Sequence, residues 1–465
     1  MSKDIALLSA TDLLQAYRRK QLSPVEATRA ALARIDRYNA ALNAYCFVDG
    51  ENAMAAARAA EHRWHKGEPQ GLLDGVPISI KDVVLTKGWP TLRGSRTVTR
   101  DQSWDEDAPC TARLRAHGAV LLGKTTTPEF GWKGITDSPL TGVTRNPWNP
   151  VLTPGGSSGG ATAAIATGMG ALAIGTDGGG SIRIPAGFTG VYGIKPSFGR
   201  VPAAPLSPFG TVSHVGPITR SVADAALMLN VIAEPDARDW HALPYDARDY
   251  CVGLDGGVKR LRIAFSANLG YVSVDAEVAA IVAKAVDVFV DLGAHVELLD
   301  PGFDNPLDTF TKLWFAGAAN LTRPLSAGQR AMLDPGLAQI AAQGAAISLM
   351  DYLAAVNQRG TLGQSMNLFH ERYDLLLTPT LPIPAFAAGK ETPTRGGRWM
   401  DWTPFTYPFN LTQQPAASIP CGLTQSGLPV GLQIIGPRYD DALVLRASYA
   451  FEALRPFALP DLAQL

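Results

Sequence analysis

Two short segments set serines among glycines in a way that suits acyl chemistry. Thr153-Pro154-Gly155-Gly156-Ser157-Ser158-Gly159-Gly160 holds two hydroxyls between glycine pairs, just ahead of an alanine-rich stretch. Backbone N–H groups at such a helix start favour a developing anion. Gly175-Thr176-Asp177-Gly178-Gly179-Gly180-Ser181-Ile182-Arg183 follows, and a run without Cβ atoms can aim successive N–H groups at one point. If Ser181 attacks a carbonyl, the N–H groups of Gly178, Gly179, Gly180 and Ser181 are the candidates to hold the tetrahedral oxygen. Each such donor is worth roughly 3–4 kcal/mol of barrier.

An attacking serine needs a base. The seven histidines, His62, His65, His117, His214, His241, His295 and His370, share no sequence context with these serines. Lys81 ends the apolar run from Gly75, and a lysine drawn into a desolvated site loses its proton because burial disfavours the charged form. Taken singly, each feature is weak. A Gly/Ser cluster is commonly a solvated turn, and a lone lysine usually lays its stem along a strand end with the ammonium in water.

The elements that must position these residues alternate between helix and strand. Ser9 and Asp12 open a first helix, and Ser23-Pro24-Val25-Glu26 combines an N-cap, a first-turn proline and a capping-box acid for a second. Alanine-rich sequence from Asn52 to Lys66 continues the helical character before Gly75 to Asp82 turns β-branched. A helix over Ala108 to His117, a strand at Ala119 to Leu122, a helix after Gly160, a strand at Ala171 to Gly175 and a helix after Ser221 follow. The second half repeats the pattern, with strands at Leu261 to Phe265, His295 to Leu299, Asp374 to Leu377 and Leu428 to Ile435. A helix from Asp275 to Leu292 and a terminal helix complete it. This is α/β wiring: one large domain with a central mixed, twisted sheet flanked by helices. Pro202 to Pro208 and Pro379 to Pro384 read as proline-punctuated loops, and no repeat or low-complexity linker divides the chain.

With 465 residues, 46% hydrophobic and 18% charged, the chain has the composition of an ordinary globular protein, which excludes disordered and fibrous classes. Lys plus Arg number 41 against 42 Asp plus Glu, a net charge of −1 that supplies no overall field for nucleic acid or anionic lipid. Cys46, Cys110, Cys251 and Cys421 form no CxxC pair and fit reduced cytoplasmic thiols. The stretch Met1 to Lys20 reads as neither a signal peptide nor a membrane span, so a cytoplasmic location is expected.

Together the segments GVPISIKD (Gly75 to Asp82), GAVLLGKTTTPEF (Gly118 to Phe130), TRNPW (Thr144 to Trp148), PGGSSGG (Pro154 to Gly160) and GTDGGGSIRIPAGFTGVYGIKPSFG (Gly175 to Gly199) closely resemble the amidase signature family. A weaker likeness reaches Leu428 to Gly436, so the resemblance covers nearly the whole chain. It implies a single amidase domain over 1–465, with a signature core at about 70–225 behind a helical segment 1–66. It implies Ser181 as nucleophile, Ser157 as bridging serine at a cis peptide, and Lys81 as base, with no histidine in the triad. By the same resemblance Ser158, Asp177 and Arg183 support the loop, and Gly131, Trp132 and Thr176 begin the substrate-binding side. No metal or organic cofactor is called for. Three departures bear on substrate rather than reaction: Thr126 where the family often has Asn, Ala161 after SSGG, and Gly131-Trp132-Lys133 at the acyl pocket.

Other motifs compete with this reading. Gly118 to Thr125 matches the phosphate-loop pattern GxxxxGK[ST], but Ala-Val-Leu-Leu in its middle is itself strand-like. Gly156 to Gly160 fits G-x-S-x-G with Ser158 attacking, but Pro150 and Pro154 make its approach a poor strand. The glutaminase component of the glutamyl-tRNA amidotransferase shares the family; Thr126 and the Trp132 to Ile135 stretch look more like stand-alone amidases, and no basic arm for tRNA is evident. A catalytically dead scaffold fits poorly, since all three triad positions carry the expected residue types. The expectation is therefore an amidase that hydrolyses a carboxamide to a carboxylic acid and an amine or ammonia, with esters or carbamates as side substrates. Its partner is a small-molecule amide; a homodimer is left open. Trp132, Trp314, Phe315, Trp402 and Phe405 are candidates to line an acyl pocket, although core packing is the commoner fate of any one of them. Activity is expected to rise toward alkaline pH as Lys81 becomes neutral.

Overall fold

A computed structural model describes residues 4–465 of the chain. Its strands are β1 Tyr45–Val48, β2 Pro77–Lys81, β3 Val120–Thr125, β4 Asp137–Ser138, β5 Gly142–Val143, β6 Leu172–Asp177, β7 Tyr192–Lys195, β8 His214–Thr219, β9 Arg262–Phe265, β10 His295–Leu298, β11 Leu375–Pro379, β12 Ala416–Leu423 and β13 Pro429–Ile435. All but β4 and β5 join one mixed sheet of 11 strands, in the order β1-β3-β2-β6-β8-β7-β12-β13-β11-β9-β10. The α/β architecture expected from the alternating pattern is the one observed.

Local chemistry explains most element boundaries. Helix α1 (Ala10–Arg18) starts where the Ser9 side chain accepts from the Asp12 N–H. Helix α2 (Pro24–Leu42) starts at the capping box of Ser23 and Glu26 and stops at Asn43 in the left-handed region, which asparagine tolerates. Helix α3 (Gly50–Lys66) ends at Gly67 with φ +77°. The segment read as helical up to residue 66 also carries β1; four residues are too few for a period to declare itself.

The apolar runs at β2, β3 and β6 are buried on both faces, and their residues are almost all without solvent contact, as expected of strands covered by helices on either side. Helices α5 (Gly159–Ala166) and α7 (Val222–Ile232) pack on this part of the sheet, with α4 (Pro109–Ala116) against α7, while α6 (Arg183–Thr189) packs on β7, β12 and β13 and α8 (Ala276–Asp291) on β10 to β13. Helix α9 (Leu307–Thr322) and the helices at Pro335–Ala345 and Leu349–His370 build a second apolar cluster around Trp314, Phe310 and Trp399. Among the described residues, no helix is long and apolar enough to cross a membrane.

The phosphate-loop reading fails here. The six residues Val120 to Thr125 are a strand, and Lys124 is fully buried, its side-chain nitrogen donating to the Val84 carbonyl, to Thr86 Oγ1 at 3.2 Å and to Thr91 Oγ1 at 3.0 Å. A lysine so engaged has no donors left for a phosphate.

Candidate active site

Strands β2 and β6 lie side by side and parallel, with Ile78 opposite Leu172 and Ile80 opposite Ile174. Their carboxyl ends therefore bring Lys81 and Thr176 to the same edge, where ligands of open α/β sheets collect. Helix α5 starts at this edge behind Ser157 and Ser158, and α6 starts there behind Ser181.

The side-chain nitrogen of Lys81 lies 2.6 Å from Ser157 Oγ, 2.9 Å from Ser158 Oγ and 2.9 Å from Thr176 Oγ1. Lys81 has no solvent exposure and, among the described residues, no carboxylate partner. Burial holds its pKa well below the usual lysine range, against an opposing pull from Asp177. Three hydroxyls around a neutral amine can share donors and acceptors with it, which they cannot do around an ammonium, an acceptor of nothing.

The Gly156–Ser157 peptide is cis, as the resemblance implies. Gly131, at φ +72°, faces the Ser157 hydroxyl so closely that a Cβ there would stand 3.2 Å from it. Ser158 is tied inward: its hydroxyl donates to the Thr176 carbonyl at 3.1 Å, and its N–H donates to the Ser181 carbonyl at 3.1 Å. The nucleophile-elbow reading also lacks its strand, because Asn149 to Pro154 forms only isolated bridges. Among the described residues no side-chain hydrogen bond reaches the Ser181 hydroxyl, and Ser157 and Ser181 are not directly bonded.

The glycine loop is locked from behind. Arg183 donates twice to the Asp177 carboxylate and also to Thr406 O, Gln433 Oε1 and Asn410 Oδ1. Burial alone would raise the Asp177 pKa, but the Arg183 guanidinium outweighs it and holds the carboxyl below the usual range. That carboxylate accepts from the N–H of Gly180 at 2.7 Å and of Ile182 at 3.2 Å. Gly180 is thus corrected out of the candidate oxyanion donors. No protein acceptor among the described residues takes the N–H of Gly178, Gly179 or Ser181.

A cleft of about 790 Å³ opens onto Ser157, Thr176, Gly178 and Ser181. Gly131 and Thr176 border it, as expected. Trp132 does not: its ring is buried against Gly336, and its carbonyl accepts from Trp314 Nε1 at 3.0 Å. Phe315, Trp402 and Phe405 are likewise core residues, Trp402 stacking on Phe188 at 5.9 Å. Only Trp314 of the five aromatic candidates faces the cleft, stacked 3.9 Å from Phe209.

The sequence reading missed Arg93, Phe130, Phe209 and the loop Pro202 to Pro208, which forms one wall. The proline punctuation marked that loop, but nothing in it says which surface it covers. His214 and His241 border the cleft too, and neither bonds to Ser157, Ser158 or Ser181.

Comparison with known proteins finds similarity along nearly the whole chain. The family model "Amidase" matches residues 26–445. The chain is 39% identical to an acylamidase of Rhodococcus erythropolis, over 97% of this chain and 96% of that protein. It is 36% identical to the A component of the glutamyl-tRNA(Gln) amidotransferase of Chloroflexus aurantiacus, over 96% of each. The crystal structure of a bacterial aryl acylamidase superimposes with a TM-score of 0.90 at 35% identity, covering 97% of this chain and 96% of that one.

Proposed function

The chain belongs to the amidase family, the amidase signature enzymes, whose chemistry is hydrolysis of carbon–nitrogen amide bonds, and we propose that it performs this chemistry through an acyl-enzyme on Ser181. The observation that carries the assignment is the buried, uncompensated Lys81 nitrogen 2.6 Å from Ser157 Oγ. Neutral Lys81 accepts the Ser157 proton while Ser157 Oγ accepts that of Ser181, whose oxygen bonds to the amide carbon. The carbonyl oxygen becomes an oxyanion held by N–H groups from Gly178, Gly179 and Ser181. The proton then returns through Ser157 to the amide nitrogen, the carbon–nitrogen bond breaks, and the amine leaves. Water adds to the ester by the same relay in reverse, giving the carboxylic acid and restoring Ser181.

The mostly apolar cleft, with Phe130, Phe209 and Trp314 in its walls, supports acyl or aryl amides as the substrate class, in keeping with the acylamidase and the aryl acylamidase to which the chain is similar. One domain over 1–465, with its core at about 70–225, is supported by a sheet that draws strands from both halves of the chain. The free thiols of Cys46, Cys110, Cys251 and Cys421 support a reducing, cytoplasmic setting.

A fluorophosphonate reaction followed by peptide mass mapping tests the proposal. Labelling of Ser181, with 4-nitroacetanilide hydrolysed by the isolated chain, supports it. Labelling of another serine refutes the assignment. Glutaminase activity that appears only with partner proteins and tRNA supports the amidotransferase reading instead, which the likeness to the Chloroflexus aurantiacus protein makes specific.

A further inference from the structure

We propose that Arg93 is a specificity residue that binds a carboxylate carried by the substrate in addition to its scissile amide. The proposal rests on the amidase reading and adds a charge to the substrate class.

Arg93 borders the same cleft as Gly131, Ser157 and Ser181. Its backbone is in the left-handed region at φ +57°, followed by Gly94 at φ +62°, an uncommon conformation for a residue with a side chain. The turn is pinned in place. Phe130 N–H donates to the Arg93 carbonyl at 2.7 Å, and Gly94 N–H donates to Asp82 Oδ2 at 3.2 Å. A Cβ on Gly94 would stand 2.6 Å from the Thr127 carbonyl, so the turn is fixed against a rigid neighbour.

A guanidinium has five donors in a planar fork. In Arg93, among the described residues, none of them meets a protein acceptor, and no carboxylate lies within ion-pair distance. Three other arginines of the fold behave differently. Arg183 donates to Asp177, Gln433 and Asn410, Arg220 to the Ile165, Gly170 and Leu8 carbonyls, and Arg359 to Leu411 and Thr211. The acid whose charge acts on Arg93 is Asp82, whose Oδ2 accepts from the Gly94 N–H and which forms no ion pair with the guanidinium.

The cleft that Arg93 borders also has Val83, Val84, Leu85 and Phe130 in its lining. A planar carboxylate meeting the fork at two points gains both charge and geometry. A neutral substrate leaves the fork unpaired. The structure therefore discriminates between substrates of equal size by charge.

The test uses the full chain and two pairs of anilides. Glutaric acid mono-4-nitroanilide is compared with the 4-nitroanilide of pentanoic acid, and 4-acetamidobenzoate with 4-acetamidotoluene. The expected result is a preference of at least tenfold in kcat/KM for the carboxylate member of one pair, carried by KM and weakened by salt. Arg93→Gln is expected to reduce that ratio to near one, and Arg93→Lys to retain part of it. Calorimetry of the same compounds on Ser181→Ala, with and without Arg93→Gln, reads binding without turnover. At least tenfold tighter binding of the carboxylate, lost with Arg93→Gln, is expected. Neutral anilides hydrolysed with no preference in either pair overturn the role of Arg93 and leave the amidase reading standing. Loss of all turnover and of labelling at Ser181 refutes the amidase site, and calorimetry then decides Arg93 alone. Equal binding of both members overturns it, and a preference that survives Arg93→Gln does the same.

Discussion

Arg183 grips Asp177 through two hydrogen bonds of 2.9 Å at a point where neither side chain meets solvent. Removing one partner of such a pair strands the other charge. Asp177→Asn is expected to destabilise the fold by about 3–5 kcal/mol in urea unfolding and to slow labelling of Ser181. The Asp177 pKa is lower in the fold than in the unfolded chain. Its stabilisation is therefore complete above the unfolded value near 4, and it is lost as pH falls through the folded one. The Asn variant should show a flatter acid limb of stability against pH.

Lys81 sets the alkaline behaviour. Because burial lowers its pKa, kcat/KM should rise with pH and reach its plateau well below the ordinary lysine range. An inflection at the ordinary lysine value, with chemistry limiting, contradicts the assignment. Lys81→Ala should reduce kcat by about 10²–10⁴. In the window between the folded and unfolded values only the unfolded chain holds the proton, so this group's contribution to stability increases as pH rises.

The two candidate nucleophiles, Ser181 and Ser158, separate by variant. Ser181→Ala should abolish labelling and turnover. Ser158→Ala removes the bond to the Thr176 carbonyl and one hydroxyl beside Lys81, so labelling at Ser181 should persist at a reduced rate.

Gly179 is fixed by its neighbours. A Cβ there would come within 2.8 Å of Phe310 and 2.9 Å of Trp399, so Gly179→Ala should cost about 1–3 kcal/mol of stability by overpacking and lower kcat by shifting the loop. Thermal unfolding and turnover measured together check both effects.

The cleft wall and the core respond differently. Phe209→Ala should raise KM for an anilide about tenfold, consistent with losing buried aromatic surface, while Trp402→Phe, a change inside the core, should alter unfolding temperature and leave KM unchanged.

Legibility followed physical scale. The roles of Lys81, Ser157 and Ser181 were legible only through the family resemblance, whereas the segments that hold them stand out on their own, because glycine runs and an apolar strand declare themselves over a few positions. The capping box at Ser23 and the strands β2, β3 and β6 were readable for the same reason. Trp132 misled because an aromatic beside a site glycine looks the same whether its ring turns to the cleft or to Gly336. Gly180 misled because a hydrogen bond to Asp177, three residues back, depends on loop geometry. Arg93 was invisible: its meaning lies in having no partner, which only the assembled fold can express. Strands β7, β8 and β12 escaped as well; β8 carries Pro217 and β12 carries Pro420, both at odds with an ordinary strand signature.

The order of the sheet also governs when in the life of the chain the site can exist. Strand β7 takes β12 as its neighbour, with Lys195 opposite Ala416, and the guanidinium behind the glycine loop finds Asn410 and Gln433 at separations of 227 and 250 residues. During synthesis the nascent chain thus carries Asp177 and Arg183 long before their remaining partners leave the ribosome. Closure across such separations is slow, and until it happens the unpaired edge of β7 is open to other chains. Chaperone demand should accordingly concentrate in the interval between translation of β7 and of β13, and a chain released within that interval should be both inactive and prone to aggregate.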